Sequence, residues 1–388
     1  MKTWNLALVS ILFSLVAITG CQNKPQTQPE PKPESPKQDS QKSEALMAYG
    51  QGKIALETGK FDAAIRCYTE AIRLDPKLAL AHANRGLAYC NKSDWDNAIP
   101  DLTEAVCLNP SLVGVFNNRG FAFCNKGEYN QAIADFTEFI RLNPKSASAY
   151  NNRAAAYGAI GELDKEIKDY TEAIRLDPKL DLACSSCGMA YFKKGDWDNA
   201  ILNFTEATCR NPGLAGAFCN RGLAYAKKGE YNQAITDYTE AIRLDPKLAI
   251  AHGNRGSAYG SIGQYDKEIA DCTESVRLDP KFGQAYADRG MAYCTKGNWD
   301  NAISDFTEAI RLNPGIAGVF CNRGSANIKK GEYNQAITDF TEAIRLDPKL
   351  ALAYSSRASA YEKKGEKNKA EADFAEAERL GFPKDKAK

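Results

Sequence analysis

Nine prolines, Pro76, Pro110, Pro144, Pro178, Pro212, Pro246, Pro280, Pro314 and Pro348, stand 34 residues apart without a slip. Spacing this regular makes nearly the whole chain one structural unit copied end to end. Units of this length cannot bury their apolar faces alone. They stack into an elongated solenoid, whose usual product is a long binding surface rather than a catalytic pocket.

Framing each repeat so that its proline is the thirty-second residue gives ten copies: 45–78, 79–112, 113–146, 147–180, 181–214, 215–248, 249–282, 283–316, 317–350 and 351–384, with a tail at 385–388. Slot 8 is glycine, with Ala154 and Ala358 as small substitutes, which suits a close crossing of two helices. Slot 15 is glycine in every repeat but one, where it is Ser93. Glycine there ends one helix, because it enters the left-handed region without penalty. Each repeat reads as helix A, a turn at "KGEY" or "KGDW", helix B, and a break at "RLDP".

These small, aromatic and proline slots, seen together in residues 215–248 (AGAFCNRGLAYAKKGEYNQAITDYTEAIRLDPKL), resemble the tetratricopeptide repeat (TPR) family. The resemblance implies an all-α fold, a right-handed α-α superhelical solenoid of about ten TPR helical hairpins. Glu166 and Glu268 depart from the family at slot 20, where a small residue is expected. A longer period overlies the first: "DWDNAI" or "NWDNAI" marks repeats 2, 5 and 8, and "KGEYNQAI" marks repeats 3, 6 and 9. Repeat 10 has Lys367 in an aromatic slot and a polar outer face, and reads as a C-terminal cap.

Lys2 precedes an apolar run from Leu6 to Ile18, too short to span a bilayer and right for a secretory signal over residues 1–20. The run ends in Ile18-Thr19-Gly20-Cys21, which resembles the lipobox of bacterial lipoproteins and implies acylation of Cys21. An ordinary signal peptide, or a chance apolar start, is the alternative. The lipoprotein reading places the protein outside the cytoplasm, anchored to the cell membrane or outer membrane and facing the periplasm or the surface. Residues 21–44, rich in Pro, Gln and Lys, read as an extended spacer.

Fifty basic and forty-nine acidic residues leave a net charge of +1, so no global field draws nucleic acid. Lysines cluster at the ends of helix A, as cations do near helix C-termini. Twelve cysteines sit awkwardly in an exported protein. Cys90 and Cys124 share a slot in adjacent repeats and should stay reduced. Cys184 and Cys187 form a lone CxxC that reads as buried small hydrophobes before redox or metal chemistry. His82 and His252, the only histidines, occupy an otherwise aromatic slot and read as packing residues. No catalytic motif appears, so neither an enzyme, nor a cofactor, a metal or a small-molecule substrate is expected.

Arginine fills slot 7 in eight repeats, and the same eight carry aspartate sixteen residues on. The pairs are Arg85 with Asp101, Arg119 with Asp135, Arg153 with Asp169, Arg221 with Asp237, Arg255 with Asp271, Arg289 with Asp305, Arg323 with Asp339 and Arg357 with Asp373. Repeats 1 and 5 lose both partners together, Gln51 with Cys67 and Cys187 with Asn203. Joint loss predicts ion pairs within a repeat, since a half-buried charge left alone costs more than removing both.

At 100° per residue, slots 2, 6, 9 and 13 of helix A fall opposite the packing face. In the TPR family that side lines the concave groove. Slot 6 holds Asn84, Asn118, Asn152, Asn220, Asn254 and Asn322, with Asp288 between, and Leu87, Phe121, Leu223 and Met291 lie beside them. A row of amides can grip successive backbone groups of an extended peptide. The row resembles the asparagine ladder in the TPR superhelix of O-GlcNAc transferase. The carboxylate clamp of chaperone-binding TPRs is not expected, because slots 2 and 5 lack lysine. The sequence thus predicts a non-catalytic scaffold at the bacterial envelope, binding a protein or peptide in its groove and a membrane through Cys21. The alternative is a structural subunit of an envelope assembly complex that uses its convex or end surfaces.

Overall fold

The structure, a computed structural model, describes residues 36–382. Every regular element among them is an α-helix, and none is long and apolar enough to cross a membrane. The described residues divide into two compact units between Glu206 and Ala207. In the first, helices A are α1 (Pro36–Glu57), α3 (Ala79–Asn91), α5 (Val113–Asn125), α7 (Ala147–Ala159) and α9 (Asp181–Lys194). Its helices B are α2 (Phe61–Leu74), α4 (Trp95–Leu108), α6 (Tyr129–Leu142) and α8 (Leu163–Leu176), and α10 (Trp197–Arg210) contains the division. In the second, helices A are α11 (Ala215–Lys227), α13 (Ala249–Ser261), α15 (Gly283–Thr295), α17 (Ala317–Lys330) and α19 (Ala351–Lys363). Its helices B are α12 (Tyr231–Leu244), α14 (Tyr265–Leu278), α16 (Trp299–Leu312), α18 (Tyr333–Leu346) and α20 (Lys367–Arg379). From α1 to α9 and from α11 to α20 each helix packs on its successor, first as a hairpin and then against the next repeat.

The repeat's chemistry sets these boundaries. Glycine at slot 15 takes φ values of +72° to +83° and closes helix A. Ser93 takes the same left-handed turn at φ 58°, at a cost of about 1–2 kcal/mol for a residue with a Cβ. At the "RLDP" break the residue before proline folds over the turn. Asp75 Oδ1 accepts from Lys77 N at 3.0 Å, and Asp177, Asp245 and Asp347 make the same bond in their own repeats.

Close helix crossing explains slot 8. A Cβ on Gly120 would stand 2.8 Å from the buried Phe136 ring, and one on Gly222 would stand 2.9 Å from Tyr238. The same logic accommodates Glu166 and Glu268. Each sits over a second glycine, Gly158 or Gly260, where a Cβ would meet the carboxyl group at 2.6 Å or less. Both glutamates are buried.

One boundary differs from expectation. Residues 36–44, read as the end of an extended spacer, are the first turns of α1. The signal segment, Cys21 and the remainder of the spacer lie outside the described residues.

Candidate functional site

Each of the eight arginines reaches its aspartate through two nitrogens: Arg85 Nε and Nη2 donate to Asp101 at 2.6 and 2.7 Å, and Arg119 to Asp135 at 2.8 and 2.7 Å. In the remaining six pairs the shortest separations are 2.6 to 2.7 Å. Such two-pronged bonds fix geometry as well as charge. Burial pushes Asp101 up, but Arg85 and His82 together outweigh it and hold its carboxyl below the ordinary range. Asp135 has Arg119 alone to oppose burial, and burial there raises it.

The third nitrogen does something the sequence reading missed. Arg85 Nη1 donates to Thr69 in the preceding repeat at 3.0 Å, Arg119 to Thr103 at 3.2 Å, and Arg357 to Thr341 at 3.0 Å. Arg153, Arg255, Arg289 and Arg323 reach back likewise, to Thr137, Thr239, Thr273 and Thr307. Arg221 reaches Thr208, one helical turn further along, at 3.1 Å. The pair is therefore a staple between repeats, and threonine at slot 25 was the overlooked signal. Repeat 5 has Cys187 in place of the arginine, and Thr171 meets its thiol instead.

The lysines at the ends of helix A also join repeats. Lys92 pairs with Asp62 at 2.5 Å, Lys126 with Asp96 at 2.8 Å, Lys194 with Asp164 at 2.6 Å and Lys330 with Asp300 at 2.7 Å, and Lys296 pairs with Asp266. Attraction to the helix C-terminus is thus an incomplete account of their placement. His82 and His252 are buried against the break, with Nε2 3.2 and 3.3 Å from Pro76 O and Pro246 O. The eleven described cysteines are unbridged. Cys184 and Cys187 are buried in the core, and burial pushes the Cys90, Cys124 and Cys187 thiols up to about 12.

The slot-6 row has two distinct environments. In repeats 2 to 4, Asn84, Asn118 and Asn152 are 4, 0 and 0 % exposed. Asn84 Nδ2 donates to Tyr49 Oη at 3.0 Å, and Asn152 Nδ2 to Asn117 Oδ1 at 3.1 Å, both across to the preceding helix A. Leu87 is buried with them, and Phe121 stands edge-on to Trp95 at 5.6 Å. The expectation that these residues line an open groove is therefore corrected. Slot 6 faces the neighbouring helix A closely enough that slot 5 of that helix captures the amides of Asn84 and Asn152, and Asn118 is buried opposite Ala83.

In repeats 6 to 9 the row is more open. Asn220, Asn254, Asp288, Asn322 and Leu223 are half-buried, and Met291, Ser257 and Ser325 are exposed. Asn254 lies against the Cys219 thiol, and its Nδ2 is buried without a regular hydrogen bond, so this amide nitrogen does not face the open side as expected. Asp288 accepts from Gln284 Nε2 at 2.7 Å. Burial raises Asp288 to about 6, and burial together with the Asp288 charge raises Glu268 to about 7. Glu166, its counterpart in repeat 4, is raised by burial with Lys193 acting in the opposite direction.

An open concavity of about 480 Å³ lies on another side of the second unit, lined by Phe218, Arg221, Thr236, Asp237 and Glu240. Two of its charged groups are already engaged in the Arg221 to Asp237 pair.

Comparison with known proteins agrees with this architecture. A TPR repeat family matches residues 52–93, 122–161, 188–229, 222–263 and 324–365, more than half of the chain. Further tetratricopeptide repeat families match 283–316, 147–180 and 249–282. Among solved structures, a tetratricopeptide repeat protein from Parabacteroides merdae is similar over 64 % of this chain and 98 % of its own, at 19 % identity and a TM-score of 0.51. The APC/C hetero-tetramer Cut9-Hcn1 is similar over 87 % of this chain and 73 % of its own, at 19 % identity and a TM-score of 0.50. MamA shares 28 % identity over 42 % of this chain and 96 % of its own, with a TM-score of 0.41. The first two likenesses concern the fold. Repeat register, hairpin packing and family match agree, and the chain belongs to the tetratricopeptide repeat family.

Proposed function

We propose that this chain is a non-catalytic protein-interaction scaffold that takes an extended peptide or partner helix along helix A of repeats 6 to 9. The supporting observation is the half-open row of Asn220, Asp288 and Asn322, with Leu223 and Met291 beside it. Polar groups at a fixed interval supply main-chain hydrogen bonds, and the apolar neighbours supply contact area. Repeats 2 to 4 serve as a rigid support, because their amides are committed to neighbouring helices. The scaffold is exported and held at a bacterial envelope by acylation of Cys21; two or more acyl chains are needed for stable anchoring.

An immobilised library of extended peptides, probed with the purified chain, tests the groove. Selected peptides should lose binding when Asn220, Asn322 and Met291 are changed to Ala, Ala and Asp together. Binding that survives this change transfers the role to other surfaces. Labelled palmitate incorporated by the wild type and not by Cys21→Ala is the expected result for the anchor.

A further inference from the structure

The slot-6 row contains one acid. Asp288 stands where repeats 6 and 9 carry Asn220 and Asn322. Its carboxylate accepts from Gln284 Nε2 at 2.7 Å on its own helix, α15, and from the Ser257 hydroxyl on α13. A second carboxyl comes to the same place from α14. Glu268 reaches across to α13 at Gly260, where any Cβ would collide with it. Ser257 and Gly260 are three residues apart, hence neighbours on one face of α13. Asp288 and Glu268 are therefore set side by side over one turn of that helix, near enough that the Asp288 charge acts on Glu268. Ser257 is exposed at the rim, and Met291, one turn along α15 from Asp288, is 45 % exposed.

The two acids have no counter-charge. Glu268 is 6 % exposed, and its carboxyl makes no hydrogen bond or ion pair. Among the described residues no cation lowers either group. Arg289 on α15 is held by Asp305, and Lys267 on α14 stands over the Tyr259 ring. The remaining ionisable neighbour is Cys272 on α14, whose thiol is raised by burial and by both carboxyls. Repeat 4 differs at this point: Lys193 opposes burial at Glu166, and the next repeat has Ser186 in the slot that Asp288 fills. A carboxyl buried without a partner costs free energy unless it stays protonated or a cation arrives. Asp288 belongs to the row, so a cation carried by the row's occupant can reach it.

We propose that Asp288 and Glu268 form a specificity pocket in the groove and take a lysine or arginine side chain of the bound extended peptide, an inference that rests on the groove reading above. Met291 offers apolar surface for the stem of such a side chain, whose charged head then meets both carboxyls. A metal ion is the poorer occupant, because no group of three or more ligating side chains occurs among the described residues.

Peptides selected from the immobilised library should be enriched in Lys or Arg. Exchanging that residue for acetyl-lysine or citrulline in a selected peptide should weaken binding about tenfold in fluorescence anisotropy. Asp288→Asn with Glu268→Gln keeps the side-chain shapes and should bind the charged and neutral peptides equally. Both carboxyls titrate above the ordinary carboxylate range, so affinity for the charged peptide should rise from about pH 5 to about pH 8 as the pair ionises, with no such rise for the neutral one. Selected peptides that need Asn220 and Asn322 but ignore the exchange overturn the pocket and leave the groove standing. Peptides indifferent to Asn220 and Asn322, or a library without binders, overturn both. Discrimination that persists in the double variant shows that the cation is read elsewhere and overturns the pocket. So does calorimetric binding of calcium chloride alone by the wild type and not by the double variant, which makes the pair a metal site.

Discussion

Repeats 2 to 4 and repeats 6 to 9 carry the same slot-6 asparagine in different surroundings. In the first set the amide is enclosed: Asn84 donates to Tyr49 Oη and Asn152 to Asn117 Oδ1 on the preceding helix A, and Asn118 is buried opposite Ala83. In the second set the facing slot 5 holds Cys219, Gly253 or Ala287, and slot 9 alternates Leu223, Ser257, Met291 and Ser325. A polar partner on the preceding helix A ties Asn84 and Asn152 into the core. Asp288 and Asn322, which face Gly253 and Ala287, stay half in solvent. The glutamates at slot 20 follow the same division: Glu166 has Lys193 nearby, and Glu268 faces Asp288. Copying a residue along a repeat array copies its position on the helix, and its role is set by the neighbours.

The sharpest break of this contrast is Asn152→Ala. It removes the donor to a fully buried Asn117 and should cost about 1–3 kcal/mol in denaturant unfolding. Asn322→Ala should stay within about 0.5 kcal/mol, as half-exposed sites do. Equal losses would erase the distinction between the two sets.

Glu268→Gln probes the second contrast. Because the native pKa is raised from 4.5 to about 7, the folded protein holds this proton more tightly than the unfolded chain. The associated stability is full below the unfolded value and is lost as pH rises through the native one. The amide should therefore stabilise the protein by about 1–2 kcal/mol at pH 8, after allowance for solvent screening, and by little at pH 4. Glu166→Gln should gain less, since Lys193 favours its charged form. Melting curves across pH decide the ordering, and a larger gain at Glu166 would contradict it.

Smaller effects test the staple and the turn. Thr103→Ala removes the bond from Arg119 and should cost about 0.5–1.5 kcal/mol, whereas Thr171→Ala, at the junction where cysteine replaces the arginine, should cost less. Local hydrogen exchange across α4 and α5 compared with α8 and α9 separates them. Ser93→Gly removes the side chain from a left-handed turn and should raise stability by roughly 0.5–1 kcal/mol in the same denaturant assay.

Much of the fold was legible because repetition removes ambiguity. Pro76 and its eight successors mark the breaks, slot-15 glycines mark the turns, and paired loss at Cys187 and Asn203 marks the Arg–Asp coupling. Helical periodicity placed the asparagines on the side of helix A away from its hairpin partner. It could not tell an open side from one closed by the next helix A, which is a question of distance between chain segments 34 residues apart. The reach of each arginine to a threonine in the previous repeat was hidden for the same reason.

By itself, then, the sequence determined the repeat, its helices and the residues that must be small, because these follow from local backbone conformation and a fixed period. The tertiary structure alone decided which amides are sealed, which remain open, and that α1 ends the array with Met47 and Ile54 in solvent. Burial depends on how closely helices 34 residues apart approach, which local conformation does not fix.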